Sequence, residues 1–410
     1  MVSPFEELYD SIDINNFVIK EQKKTKVFVL PNIPDEEAEG ELKHFILDGI
    51  NKSFLLERTL DMNDPDAIWV VDVHRSKDLF PCNLTASELW KRYQYDQSHQ
   101  QKNATAVMSS SIPWGIYMID FHDHYRQRKW NCLENIHRVY NQGKNIGKNT
   151  IIGPKLYLAL RSQVVGRKIA TENMTEDELF HQLGRRVDNI QSNTHFQDLD
   201  GLRTIRYGVR GDIINSLERI VSTRQSNTAT HKVDIVTMSR PSDVIHFWKP
   251  DSDNFGKLRT KVSNALIKLG KDPVYSHYII DAKEVGERDI KGRNSVDDAY
   301  AEKLLEYKII VVCQRDSWED HYRLMEALAG GAMVMTDPMH PLPYQIEDGK
   351  QVIVYRSLAE LKRLIIYYLE NKEERLAIAR SGHENAIKYH QSHTWMERLI
   401  FGDWKKEHGA

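Results

Sequence analysis

Short apolar runs built on β-branched residues recur along the chain, and longer stretches with helical spacing separate them. KVFVLPNI (26–33), DAIWVVDVHR (66–75), WGIYMID (114–120) and GPKLYLALR (153–161) form one series. VDIVTMS (233–239), VYSHYII (274–280), KIIVVCQ (308–314), AMVMTD (332–337) and QVIVY (351–355) form a second. Apolar runs of this length between turn signals read as buried strands. The intervening ELKHFILDGINKSFLLE (41–57), RKWNCLENIHRVYNQ (128–142), NFGKLRTKVSNALIKLG (254–270) and SVDDAYAEKLLEYK (295–308) read as helices, the last capped by Ser295. Strands that alternate with helices predict parallel sheets covered on both faces. The expected class is therefore α/β.

The alternation is interrupted once in earnest. Residues 171–204 are polar and irregular, and STRQSNTATHK (222–232) has the Ser/Thr/Asn composition of an exposed linker. A chain of 410 residues has room for two domains. The division expected is an N-terminal domain over 1–225, a C-terminal domain over 226–390, and a helix over 391–410 that can cross back to the N-terminal domain. SLAELKRLIIYYLEN (357–371) carries its own start signal, Ser357 with Glu360 three residues on.

Charge narrows the function. The net charge is −3, so the basic excess of a nucleic-acid-binding protein is missing. Three cysteines, Cys82, Cys132 and Cys313, make neither a disulfide framework nor a zinc motif. No apolar run reaches the ~18–20 residues of a membrane span, and the acidic start lacks a signal-peptide core. The expected location is cytoplasmic, or the secretory lumen for a chain shortened at its N-terminus. The sequons at Asn51, Asn83, Asn103 and Asn173 bear only on the second case.

Open parallel sheets bind ligands beyond the carboxyl ends of their strands, so the loops after the predicted strands hold the candidates. Arg240 follows VDIVTMS directly and reads either as a diphosphate ligand or as a surface arginine. Lys257, Arg259 and Lys261 on the next helix read as a basic cleft or a solvated face. Arg315, Asp316 and Ser317 follow KIIVVCQ. Glu326 on HYRLMEALAGG is an acceptor suited to two vicinal hydroxyls such as those of a ribose. Gly330 and Gly331 after it permit positive φ and close approach. The plainer alternative is a glycine-capped helix with one exposed glutamate. In the first half, Asp120, His122, Asp123 and His124 follow a strand, as Asp72 and His74 follow another. The first cluster suits a base for an acceptor hydroxyl, a metal site, or a polar loop.

The stretch from His321 to Leu399 resembles the C-terminal half of glycosyltransferases group 1, in particular their CgeB-like branch. Arg323 and Glu326 on one helix, Gly330-Gly331, a strand, Asp348-Gly349, VIVY, the serine-capped helix and YLENKEER carry the likeness. RNSVDDAYAEKLLEYK extends it upstream, so that it is concentrated in residues 295–400, while residues 1–220 only look like the companion domain. The resemblance implies a GT-B fold, two Rossmann-like domains facing across a cleft, with a nucleotide-sugar donor in the C-terminal domain. It also implies a glycan, protein or small-molecule acceptor, no bound metal, and no cofactor beyond the donor. It places Glu326 on the ribose and Arg240 on the diphosphate. The family's paired glutamates, eight apart, are not matched: Trp318 stands eight before Glu326, with Glu319 beside it. The expected function is a metal-independent glycosyltransferase with Asp120, His122 or Asp123 assisting the acceptor. The alternatives are a non-catalytic glycosyltransferase-like assembly protein and a metal-dependent hydrolase built on DFHDH.

Overall fold

The computed structural model describes residues 24–61 (except 31 and 41), 67–72, 115–120, 155–161, 202–226 (except 206), 233–248, 250, 257–283, 296–313, 322–339 and 342–401. Two parallel sheets organise them. The first has strands β1 (Thr25–Leu30), β2 (Leu56–Thr59), β3 (Ile68–Asp72), β4 (Gly115–Asp120), β5 (Lys155–Arg161) and β6 (Leu202–Ile205), in the order β2-β1-β3-β4-β5-β6. The second has β7 (Ser242–His246), β8 (Ile280–Ala282), β9 (Tyr307–Val312), β10 (Met333–Thr336) and β11 (Ile353–Val354), in the order β8-β7-β9-β10-β11. Every neighbouring pair is parallel. Each sheet begins one strand in from its edge, places its second strand on one side, and adds the later strands on the other. That doubly wound order leaves one switch point per sheet, between β1 and β3 and between β7 and β9. The α/β class with two Rossmann-like sheets, expected of a GT-B fold, is what the chain adopts.

The helices are α1 (Asp48–Lys52, continuing a π-helical turn over Leu42–Leu47), α2 (Gly211–Ser226), α3 (Lys257–Gly270), α4 (Asp298–Glu306), α5 (Tyr322–Ala329), α6 (Leu358–Glu370), α7 (Lys372–Tyr389) and α8 (Ser392–Phe401). The central strands of the second sheet are buried along nearly their whole length, which explains their unbroken apolar runs. Ser357 caps α6 as its sequence predicts, accepting from the Glu360 amide at 3.0 Å. The Glu360 carboxylate reaches back to the Arg356 amide at 2.5 Å. The cap of α4 is Asp297, whose carboxylate accepts from the Tyr300 amide at 2.8 Å. Ser295 lies outside the described residues.

Several expected boundaries move, each for a local reason. The helix expected to run to residue 57 stops at Lys52, because the Ser53 hydroxyl accepts from the amides of Leu55 and Leu56, both at 3.0 Å. The chain turns there into β2. VDIVTMS is no strand. The Asp234 carboxylate takes the Val236 amide at 2.9 Å, and the Asp234 carbonyl takes the Met238 amide at 2.9 Å, so the segment closes into a turn. Asp272 does the same to VYSHYII through the Val274 and Tyr275 amides, leaving only Ile280 onward for β8. Within the stretch read as irregular, Leu202–Ile205 forms β6. The helix expected over 128–142 lies outside the described residues.

The division at residue 225 also moves. Ile213, Ile214, Leu217 and Ile220 of α2 belong to the core built on β7–β11, so a cut at 225 would separate a packed helix from its sheet. Helix α8 does the reverse. Its Trp395, Met396, Leu399 and Ile400 join the core built on β1 and β3, with Trp395 edge-on to Phe45 at 4.6 Å. The Ser392 hydroxyl donates to Asp48 at 2.5 Å. The two connecting segments meet, with Val209 bridging Gln391 and its amide donating to the His390 carbonyl at 2.6 Å.

Gly49 sets how closely α1 and α8 approach. A Cβ there would lie 2.6 Å from both the Ser392 carbonyl oxygen and Met396 Cγ. The backbone oxygen cannot rotate away, so Gly49→Val must separate the helices. Overpacking of this kind costs about 1–3 kcal/mol, while the helix-propensity gain over glycine is only a few tenths, about 0.4 kcal/mol. Gly49→Val is expected to lower the midpoint of urea unfolding, and an unchanged midpoint would show that the helices part freely.

Candidate functional site

The site is assembled where β7 and β9 end, at the switch point of the second sheet. His246 closes β7, and Phe247 and Trp248 follow it. The next helix, α3, carries Arg259 in its first turn, and α5, the helix after β9, carries Arg323 in its first turn. The two arginines cross over. Arg259 Nε donates to the carbonyl of Cys313, just past β9, at 2.9 Å. Arg323 Nη1 donates to the carbonyl of Phe247, just past β7. Both guanidiniums lie against the same indole, Arg259 Cζ at 4.0 Å and Arg323 Cζ at 4.2 Å from the Trp248 ring centre. Arg259 and Arg323 are buried to 7% and 8% exposure, and Trp248 is half-buried.

Ser263 fixes this corner from α3. Its hydroxyl lies 2.8 Å from the Trp248 carbonyl, 2.9 Å from the Arg259 carbonyl and 2.9 Å from His246 Nδ1. A hydroxyl has one proton, which the carbonyls claim, so His246 Nδ1 is the donor to the serine oxygen. The Nε2 atom then carries a lone pair, and no described residue donates to it. Burial, followed by the charges of Arg259 and Arg323, holds the imidazole pKa well below its ordinary value. His246 is neutral, and the positive charge of the site belongs to the arginines. Tyr355 braces the end of β9 through its hydroxyl to the Val312 carbonyl at 3.1 Å. Burial, Cys313 and Asp337 push that phenol well above its ordinary pKa, so it stays protonated.

Two fixed guanidiniums, each in the first turn of a helix, and one aromatic face suit an anion with more than one phosphate. Neither His246 nor Tyr355 is set to exchange protons near neutral pH. What the corner offers is fixed positive charge.

The expected site residues divide. Arg323 is at this corner. Glu326, one turn along α5, has no exposed surface, and its Oε2 accepts from the Tyr300 hydroxyl at 2.6 Å. The alternative of one exposed glutamate is thus corrected: the carboxylate is enclosed between α4 and α5. Arg240 is corrected too. Because VDIVTMS is a turn, Arg240 precedes β7 and lies at the opposite, amino edge of the sheet. Its Nη1 donates to the carbonyls of Leu304 (2.9 Å) and Tyr307 (3.0 Å), and its Nη2 to those of Ile235 (2.9 Å) and Gly330 (2.6 Å). Gly330 and Gly331 end α5 at that same edge. Gly331 has φ of 71°, and a Cβ on it would meet the Ile235 carbonyl at 3.1 Å. These glycines serve the helix end.

Lys257 opens α3, its side chain outside the described residues, and Lys261 is half-buried one turn on. Arg315, Asp316, Ser317, Glu319, His74, His122, Asp123 and His124 lie outside the described residues. Asp120 ends β4 and Asp72 ends β3, and neither side chain is described. Among the described residues there is no group of three or more His, Cys, Asp or Glu able to hold a metal ion, and no helix long and apolar enough to cross a membrane. Sequence reasoning misses His246 and Trp248, because it spends the strand on residues 233–239 and leaves DVIHFW as loop.

No curated protein matches the chain. Among solved structures, the chain is similar to Anabaena Alr3699/HepE in complex with UDP and glucose, at 12% identity over 91% of this chain and 97% of that one, with a TM-score of 0.42. It is similar to a glycosyltransferase from Rickettsia africae at 9% identity, over 94% and 98% of the two chains, with a TM-score of 0.43. It is also similar to sucrose-phosphate synthase from Thermosynechococcus elongatus at 11% identity, over 75% and 91%, with a TM-score of 0.38. Residues 277–400, which run from the approach to β8 into α8 and include Arg323 and Glu326, match the family model described as glycosyl transferase-like.

Proposed function

We propose that the protein transfers a sugar from a nucleotide-sugar donor whose diphosphate is held at the carboxyl edge of the second sheet by Arg259 and Arg323. The observation that carries this reading is the coincidence of the β7/β9 switch point with two crossed, buried guanidiniums on one indole. Planar guanidiniums match phosphate oxygens bidentately. Charge that develops on a departing diphosphate is stabilised most where donors are already fixed and water is scarce. Two positive charges at the diphosphate do the work a divalent cation does in other sites, so transfer is read as metal-independent, and activity is expected to persist in excess chelator. On the acceptor side, the stretch from Asp120 to Asp123, beyond the end of β4, supplies the base for a hydroxyl of a glycan, protein or small molecule.

Calorimetry with a panel of nucleoside diphosphates tests the donor site. Hydrogen bonds to charged groups contribute about 1.5–3 kcal/mol, so Arg259→Ala and Arg323→Ala should each weaken binding by roughly 10–100-fold. Folded variants that bind as the wild type does would remove both arginines from the site. Wild-type binding with neither transfer nor donor hydrolysis would favour the non-catalytic assembly protein instead.

A further inference from the structure

We infer that Trp248 is a positioning residue for this donor site: its indole is the plate that holds Arg259 and Arg323 together at the β7/β9 edge. The inference rests on the donor reading above and adds a residue to it. Both guanidinium carbons lie about 4 Å from one ring centre, so they can be no further apart than twice that distance. Two like charges on long side chains would otherwise part and seek water. The face of an indole is the best aromatic surface for a cation, and stacking restricts each guanidinium to one plane.

The plate is itself fixed. The Trp248 carbonyl accepts from Ser263, which also accepts from His246 Nδ1, and the imidazole and indole ring centres are 5.0 Å apart. Phe247 is the nearest competitor for the role. It points instead into the core, with its ring 6.0 Å from that of Tyr300 and 6.1 Å from that of Tyr307, and Arg323 Cζ is 6.0 Å from its ring centre. Trp248 alone among these rings touches both arginines and keeps a partly exposed surface.

A positioning role differs from a packing role in what it discriminates. The full-length chain would be titrated calorimetrically with the tightest-binding nucleoside diphosphate of the panel, then with the corresponding nucleoside, which carries no phosphate. Trp248→Leu is expected to weaken the diphosphate by about tenfold or more and to leave the nucleoside unchanged. Trp248→Phe, which restores a face, should recover most of the loss. Should the leucine variant fail to fold, Trp248→Met, a more adaptable side chain likewise without a π face, carries the same comparison. A folded leucine or methionine variant with the wild-type ratio of the two affinities overturns the positioning role and leaves the donor reading intact. A wild type that binds no nucleoside diphosphate overturns both.

Discussion

Arg240→Ala should lower the stability of the C-terminal unit by about 4 kcal/mol or more while leaving nucleotide affinity per folded molecule unchanged. The truncation strands four backbone carbonyls, those of Ile235, Leu304, Tyr307 and Gly330. A buried acceptor left without a donor costs about 1–3 kcal/mol, so even the low end of that range gives the expected loss. Two of the carbonyls belong to helix ends, Leu304 in the last turn of α4 and Gly330 just past α5. A cation there also offsets the negative ends of both helix dipoles. Burial, with Arg224 nearby, brings the guanidinium pKa down to about 10, which still leaves it charged at neutral pH. For a unit of this size each kcal/mol moves the melting temperature by roughly 2–4 °C, so the midpoint should fall by about 10 °C. Arg240→Lys should rescue only part of this, because one ammonium has three donors and no fork. A variant that melts as the wild type does but no longer binds nucleotide would return Arg240 to the diphosphate.

The fate of Arg240 also shows what the sequence makes legible. KIIVVCQ and AMVMTD are legible as strands because both faces of a central parallel strand are buried. Ser357 and Glu360 are legible because a helix cap is a local device, complete within four residues. VDIVTMS has the same apolar texture as a strand, yet one carboxylate, Asp234, folds it into a turn by taking a nearby amide. That single local competition displaces β7 by nine residues, reverses the end of the sheet at which Arg240 sits, and hides Trp248 and His246. The crossing of Arg259 and Arg323 is not legible at all from spacing. It exists only once β7 and β9 lie side by side, and 64 residues separate the two arginines in the chain. Resemblance pointed to the helix that bears Arg323 and Glu326. It did not foresee that the glutamate would be enclosed by Tyr300, since that contact depends on how α4 packs on α5.

Acidification should destabilise the protein steeply between pH 7 and pH 5, above the range in which carboxylates titrate. His246 and His390 are both fully buried and neutral. Burial and then Arg398 bring His390 down to about 3, and burial with Arg259 and Arg323 brings His246 well below its ordinary value. In the unfolded chain both recover a pKa near 6.5. As the pH falls below that value the unfolded chain takes up protons that the folded one refuses, so stability is lost as pH drops and is fully present above about pH 7. His390 removes about 2 kcal/mol by pH 5 at 1.36 kcal/mol per pH unit, and His246 adds in the same direction. His383, also lowered by burial, adds in the same direction. Glu218, raised by burial, opposes it, but it is a single half-buried group. The seam between the two units should feel this most, because the His390 carbonyl accepts the Val209 amide while its Nε2 donates to the Tyr344 carbonyl at 2.8 Å. Urea unfolding at pH 7 and pH 5 measures the loss directly. His390→Gln keeps a donor for Tyr344 and removes the titration, so its stability should fall less over that interval, by about 2 kcal/mol. An identical fall in the variant would assign the acid sensitivity to groups other than this histidine.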